Sequence, residues 1–176
     1  MMLKRTAMIL TTLSLLPIQS MAAMQCGTGL THVNVSGNVT TLNVSATKQV
    51  GQICLAMIQS ANGREIFNDC GALVGRVVSA DPQTGASTLT HTAVFDFRNM
   101  FVTKNDQAQI ITPPLAFDDA GAPCAFGVTE TISEFDKSAG IFRGGQVNIT
   151  ATGNISFCPS QNLNTFTLQG EACVRK

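Results

Sequence analysis

The chain has 176 residues, of which 44% are hydrophobic and only 12% are charged, with ten Phe and no Trp or Tyr. This composition supplies one hydrophobic core, so we expect a single domain. The 11 Lys and Arg residues balance the 11 Asp and Glu residues, and the charges are scattered singly. Nucleic-acid binding is not expected, because no basic stripe is available to neutralise phosphates.

Residues 1–23 have the three parts of a secretory signal peptide. Two basic residues precede an apolar run over residues 7–18, and residues 20–22 supply a small-x-small cleavage site. The run is shorter than the roughly 20 residues that span a bilayer, so we expect no membrane span. Cleavage after residue 22 or 23 would release a secreted or periplasmic domain of residues 24–176. That domain has nine basic residues, since two of the 11 are lost with the signal peptide.

Downstream of the signal peptide, hydrophobicity alternates with a period of two, which indicates β-strands. Residues 40–45, 70–79 and 87–98 are expected as strands because they combine this alternation with many Val, Thr and Phe residues. Turn-forming residues separate the strands, and we expect turns at residues 61–63, 81–85, 112–114, 118–121, 136–140 and 159–162.

The most regular alternation is in residues 147–157. The odd positions are apolar or small, and the even positions are Asn, Thr or Ser. The even positions also contain two Asn-x-Ser/Thr glycosylation acceptors, at Asn148 and Asn154. A strand whose outer face alternates Asn with Thr or Ser produces such triplets automatically. We therefore interpret the segment as a strand with one wet face, which forms a hairpin with residues 163–174.

These elements together predict an all-β fold. The absence of a 3.6-residue hydrophobic pattern over three turns excludes a long amphipathic helix. The number of strands and turns favours a single antiparallel β-barrel of about eight strands, stapled by disulfides.

All six cysteines follow the signal peptide, which predicts three disulfides because the export route is oxidising. A turn at residues 61–63 would pair Ser60 with Arg64. The same antiparallel register then places Cys54 opposite Cys70, close enough for a disulfide. For the remaining cysteines we expect the pairs Cys26–Cys173, near the termini, and Cys124–Cys158.

Residues 130–153 read ETISEFDKSAGIFRGGQVNITATG. This segment resembles the repeating plan of allene oxide cyclase-like and dirigent-like barrels, in which a strand, a Gly-Thr-Gly-x-Phe-like element, a Gly-rich bend and a long strand follow one another. Ser138 and Ala139 replace the first two positions of that element, and Gly144 and Gly145 form the bend. The resemblance implies an eight-stranded barrel, and it transfers no catalytic residue of the family because no motif outside this segment aligns.

Two titratable side chains interrupt apolar faces of the predicted strands. Alternation places His91 on the same face as Phe95 and Phe97, and it places Glu130 on the same face as Phe126. If both faces line the barrel interior, His91 and Glu130 share a low-dielectric cavity. There each would shift the pKa of the other, and the two could do general acid–base work. The alternative is a hydrogen-bonded structural pair near the barrel rim.

Three functions are open at this point. The first is a non-enzymatic barrel that holds a small apolar ligand or presents a binding surface, with four candidate contacts: Phe95, Phe97, Phe126 and Arg143. The second is an isomerase or cyclase of the allene oxide cyclase type, with Glu130 and His91 as catalytic groups. The third is a structural envelope or surface protein. We expect no cofactor and no metal, because His32 has no second ligand at metal spacing, and the sequence leaves the oligomeric state open.

Overall fold

The computed structural model describes residues 24–175, which contain eleven β-strands and one 3₁₀ turn. The all-β prediction is confirmed, whereas the predicted signal peptide lies outside the described residues. The strands are β1 (Leu30–Ser45), β2 (Lys48–Gln59), β3 (Glu65–Ala80), β4 (Ala86–Val94), β5 (Met100–Thr103), β6 (Asp106–Ile110), β7 (Ala116–Phe117), β8 (Pro123–Ile132), β9 (Phe135–Ala139), β10 (Gln146–Ser156) and β11 (Leu163–Arg175), and the 3₁₀ turn is Gly140–Phe142.

Eight of these strands close into an antiparallel ring. Around the ring the order is β3, β2, β1, β11, β10, β8, β6 and β4, and β4 then pairs with β3. β5 and β9 pair with each other and continue β6 and β8 beyond short breaks. The predicted eight-stranded barrel is therefore confirmed.

The barrel has two different ends. The connections β1–β2, β3–β4, β6–β8 and β10–β11 lie at one end, which we call the open end. The β2–β3 turn, the 3₁₀ turn and the first and last described residues lie at the other, the closed end. β7 pairs with the start of β8 at the open end.

Five phenylalanines fill the closed end. Their ring centroids lie between 5.1 and 6.2 Å apart in edge-to-face, tilted and stacked pairs, the range in which aromatic rings attract each other. Phe142 of the 3₁₀ turn is only 1% exposed and packs against the other four rings. This aromatic cluster consists of Phe67, Phe95, Phe101, Phe135 and Phe142.

Alternation of inward and outward residues produces the barrel core, as the sequence predicts. On β10 the inward residues Val147, Ile149 and Ala151 are buried, and the intervening Asn148 and Thr150 are exposed. Gly153 keeps β10 and β11 close together, because a Cβ atom there would lie within 2 Å of the Thr165 carbonyl oxygen. The glycosylation-like triplets therefore lie on a strand, with their Asn side chains on its outer face.

Three disulfides staple this barrel, with the pairings expected from the sequence. Cys26–Cys173 ties the N-terminal segment to β11, with its Cα atoms 5.4 Å apart. Cys54–Cys70 joins directly opposed residues of β2 and β3, and Cys124–Cys158 joins the start of β8 to the segment after β10. All six cysteines are thus disulfide-bonded.

The turn argument that led to Cys54–Cys70 needs a correction. Ser60 does not lie opposite Arg64; the Gln59 N–H donates to the Arg64 carbonyl instead. A bulge next to Met57 then shifts the register by one residue, and this shift restores the opposition of the two cysteines.

The expected strand over residues 87–98 is too long. β4 ends at Val94, because the carboxylate of Asp96 accepts the backbone N–H groups of Arg98 and Asn99 and stabilises a tight turn. Phe97 lies at the tip of this turn and is 89% exposed, so the prediction that it lines the interior is wrong.

The turn expected at residues 136–140 is also misplaced. This segment forms β9, and the chain turns afterwards at Gly140–Phe142. Pairing of β9 with β5 overrides the local turn preference of Asp and Gly residues. Within residues 24–175, no helix has the length and hydropathy needed to cross a bilayer.

Removal of Cys26–Cys173 is expected to lower the free energy of unfolding more than removal of Cys54–Cys70. The first disulfide spans a sequence separation of 147 and the second one of 16. In the chain-entropy model the longer loop is worth about 2 kcal/mol more. Guanidinium chloride unfolding of the two double Cys→Ala variants measures the difference, and equal losses would contradict the prediction.

Candidate functional site

The barrel encloses an apolar lumen that leads to the open end. Its inner part has a volume of about 70 Å³ and its outer part a volume of about 210 Å³. Three polar side chains, Gln49, His91 and Glu130, line the inner part. The two parts adjoin, since they share five lining residues: Gln49, Leu89, Ala108, Val128 and Ile155.

Three neighbouring strands bring His91, Asp106 and Glu130 together inside the barrel, where His91 and Glu130 line the lumen and Asp106 is buried beside them. β6 lies between β4 and β8, with Asp106 opposite Leu89 and Ala108 opposite Glu130. Because alternate residues of a strand share a face, all three polar side chains point inward. We call them the His91 triad.

The imidazole lies between the two carboxyl groups. Its Nδ1 atom is 2.9 Å from Asp106 Oδ2, to which it is hydrogen-bonded, and 3.2 Å from Glu130 Oε1. The contact with Glu130 has ion-pair distance but lacks hydrogen-bond geometry, so Glu130 Oε1 has no hydrogen-bond partner within residues 24–175. Asp106 is fully buried, and Glu130 is 7% exposed.

A two-residue interruption between strands β5 and β6 fixes the position of Asp106. Asn105 has a φ of 59°, in the left-handed region that Asn tolerates better than most residues. Directly before the break, the buried Thr103 hydroxyl donates to Asp106 Oδ2 and accepts the backbone N–H of His91 at 2.8 Å. Thr103 therefore holds both partners of the His91–Asp106 hydrogen bond.

Gly75 makes room for the imidazole. It lies between Gln49 of β2 and His91 of β4 in the sheet, and a Cβ atom at Gly75 would come within 2.9 Å of His91 Nε2. The ring consequently lies over β3, on the side where Gln49 lines the lumen. A larger residue at position 75 would displace the ring from this position.

A chain of buried hydrogen bonds holds Gln49. The Thr41 hydroxyl donates to Gln49 Oε1 at 3.1 Å, and Asn164 Nδ2 donates to Thr41 Oγ1 at 3.1 Å. Asn164 Oδ1 in turn accepts the backbone N–H of Ser156 at 2.8 Å. Such satisfied networks fix side-chain positions in a core, so Gln49 is a pre-positioned polar group of the lumen.

Burial and mutual charge shift the protonation of the triad. Burial raises the pKa of the Glu130 carboxyl above its ordinary value; the nearby His91 counteracts this effect in part, and the Asp106 carboxylate adds to it. Burial lowers the pKa of His91, but Glu130 and the hydrogen bond to Asp106 outweigh that effect and raise it overall. The physical cause is that two carboxyl groups and one imidazole share a dry site.

The structure brings together the two residues proposed as an acid–base pair, and it separates the proposed ligand contacts. Phe126 lines the outer part of the lumen. Phe95 instead belongs to the aromatic cluster, so its expected contact with a lumen ligand is not supported. Arg143 is exposed at the closed end, where its carbonyl accepts a hydrogen bond from the Arg175 side chain.

Sequence reasoning missed Asp106 and Gln49. The alternation Asp106, Ala108, Ile110 places the carboxylate on an apolar face, which is the signal that identified Glu130. That stretch is only five residues long and was not recognised as a strand. Thr103 carries no sequence signal of its own, because its role depends on the backbone break that follows it.

Large apolar side chains surround the open end. Eight of the eleven large hydrophobic residues that are exposed lie on the strand ends and connections there. We call this ring the apolar collar, and it consists of Leu42, Val44, Val78, Ile111, Leu115, Phe117, Phe157 and Leu163.

Comparisons of the chain with family models, with curated proteins and with solved structures found no match. The resemblance of residues 130–153 to allene oxide cyclase-like and dirigent-like barrels therefore stays a prediction. The function has to be argued from the lumen and its polar groups.

Substitution of Gly75 by Ala is expected to move the His91 ring while the barrel stays folded. The added Cβ would meet the tip of a side chain and not the backbone. Loss of the His91–Asp106 hydrogen bond should lower the free energy of unfolding by about 1–3 kcal/mol. The imidazole signals of His91 in ¹H–¹⁵N NMR spectra and urea unfolding measure the two effects.

The matched control is Gly27→Ala, because a Cβ atom there has no neighbour within 4 Å. This control should leave the His91 signals and the stability unchanged. Unchanged His91 signals in Gly75→Ala would show that the glycine does not position the ring.

Proposed function

We propose that this protein binds a small, mainly apolar molecule in its barrel lumen. The observation that carries the proposal is an apolar channel that the aromatic cluster fills at one end and that leads out at the other. Binding pockets of small ligands are mostly apolar and contain a few convergent polar groups. Gln49, His91 and Glu130 are such polar groups at the inner end of the lumen.

The dimensions of the lumen limit the ligand. Its two parts, about 70 and 210 Å³, together approach the lower bound of about 300 Å³ for pockets of drug-sized ligands. The inner part accommodates a narrow group or a single polar head, and the wider outer part accommodates the apolar body. A slender molecule with one polar end fits this shape.

The apolar collar supports access from the open end. A ligand with low water solubility reaches a protein most readily from an apolar surface, and Phe157 of the collar also lines the outer part of the lumen. Where such residues form one contiguous apolar surface, its exposure is a cost to the free protein unless something covers it. Binding is thus a better explanation of the open end than a purely structural role.

We further propose that the protein acts in a secreted or periplasmic setting. Three disulfides in a chain of this size are typical of oxidising compartments. The expected signal peptide supports the same location. Disulfides also keep a barrel with a partly empty interior closed, because they restrict the unfolded chain.

Filling the lumen is expected to abolish ligand binding. Ala108→Phe introduces a ring where the inner and outer parts meet. The measurement is the fluorescence of an apolar probe such as 1-anilinonaphthalene-8-sulfonate, together with native mass spectrometry of protein purified from its own host. We expect at least a 10-fold weaker probe affinity, because the space is occupied.

Ala56→Phe is the matched control, since Ala56 lies between the inward residues Leu55 and Met57 and faces outward. Equal probe binding by both variants would contradict binding in the lumen, and so would the absence of any retained small molecule. Conversion of a bound compound to an isomer would favour the isomerase hypothesis over simple binding.

A further inference from the structure

We propose that the His91 triad binds a divalent first-row transition-metal ion such as Zn²⁺ at the inner end of the lumen. The ligands would be His91 Nδ1 and one carboxylate oxygen each from Asp106 and Glu130. This inference goes beyond ligand binding in the lumen, and it does not depend on the identity of any small molecule there.

The spacing of the three side chains fits a metal ion. No two of the ligand atoms are more than 4.8 Å apart. His91 Nδ1 lies 2.9 Å from Asp106 Oδ2 and 3.2 Å from Glu130 Oε1. Two ligands that each lie about 2.1 Å from a zinc ion are separated by about 3.0 Å at a right angle and about 3.4 Å at the tetrahedral angle. A rotation of the Glu130 side chain would adjust the third distance, which is the one between Glu130 Oε1 and Asp106 Oδ2.

Two buried oxygen atoms of the triad have no donor. Asp106 Oδ1 and Glu130 Oε1 are both inaccessible to solvent, and neither accepts a hydrogen bond within residues 24–175. Asp106 is fully buried, and Glu130 is only 7% exposed. A buried carboxylate oxygen without a partner is costly, and a cation bound by Glu130 Oε1 would remove that cost for Glu130.

The charge of the site points the same way. When both carboxyl groups are ionised and the imidazole is neutral, as metal ligands have to be, the triad carries two negative charges in a dry environment, which a divalent ion neutralises. On binding, any proton on a carboxyl group leaves to solvent, and the ring keeps one proton, on Nε2, so that the Nδ1 lone pair coordinates the metal. Imidazole together with carboxylates suits Zn²⁺, Mn²⁺ or Fe²⁺.

The surroundings resemble those of metal sites that keep free coordination positions. Thr103 donates to Asp106 Oδ2, as outer partners of carboxylate ligands commonly do. His91 and Glu130 line the lumen, so the positions that the protein leaves free would face it. Three protein ligands with an open position are typical of sites that bind or convert a ligand.

A second His–Glu pair on the outer face of the barrel provides a comparison. His32 Nε2 lies 3.1 Å from Glu171 Oε2, and both side chains are partly exposed. The Met24 backbone N–H donates to the same Glu171 oxygen. This pair therefore has a hydrogen-bonded oxygen and water nearby, whereas the His91 triad has orphaned oxygens in a dry site.

The test uses the exported, disulfide-bonded protein. After treatment with a chelator and removal of that chelator, the protein is titrated with Zn²⁺ by calorimetry and with Co²⁺ by visible absorption. We expect one Zn²⁺ per chain and d–d absorption bands for Co²⁺. Because all six cysteines are in disulfides, thiolates are not available as ligands.

Variants assign the metal to the triad. Glu130→Gln removes one ligand with little change in shape and should weaken Zn²⁺ binding by at least about 10-fold. Thr103→Val keeps all three ligands and should weaken binding by about 10- to 100-fold through the loss of its hydrogen bond to Asp106. The matched control Glu171→Gln removes a carboxylate beside a histidine on the outer face and should bind as the wild type does.

Two results would overturn the proposal. One is a wild-type protein that binds neither Zn²⁺ nor Co²⁺ after chelator treatment. The other is Zn²⁺ binding to folded Glu130→Gln that equals wild-type binding. If that variant does not fold, the wild-type titration and the Co²⁺ spectrum still decide whether the protein binds the metal ion. Failure of the metal site leaves the apolar-probe result for Ala108→Phe unaffected, so the two proposals fail separately.

Discussion

Pairing of β3 with β4 is the constraint on which the rest of the structure depends. It turns a row of strands into a closed ring, in which every ring strand has a neighbour on both sides. Closure forces the inward side chains of all eight strands into one interior. Residues that are far apart in the sequence then meet, and His91, Asp106 and Glu130 become neighbours because β4, β6 and β8 are adjacent in the ring.

The two ends of the ring have different contents. At the closed end, strand ends and the β4–β5 connection carry the phenylalanines that pack around Phe142. At the open end, the connections carry apolar residues that do not pack inward and remain exposed. The polar groups of the lumen lie between these ends, where their charges are screened least. A site of this kind can combine an apolar ligand with a polar or metal-bound head group.

Prediction from sequence succeeded where one local rule decides the outcome. A period of two placed His91 and Glu130 on inward faces, and an even cysteine count in a chain expected to be exported predicted the three disulfides. It failed where another contact, local or distant, outweighs the pattern. In the sequence Phe97 continues the alternation of β4, but the turn at Asp96 ends the strand before Phe97. Residues 136–140 look like a turn, but they pair with β5.

An antiparallel, disulfide-stapled barrel is predictable from the sequence, because strand alternation, turn residues and cysteine count are properties of short segments. Two of the three members of the triad are predictable in the same way. The position of Asp106 beside them, the room that Gly75 makes for the imidazole and the filled end of the barrel are visible only in the folded chain. These features arise from the registers between strands and from the left-handed backbone conformation of Asn105 between β5 and β6. Registers across a closed sheet are set by the packing of the whole ring, which no local pattern encodes.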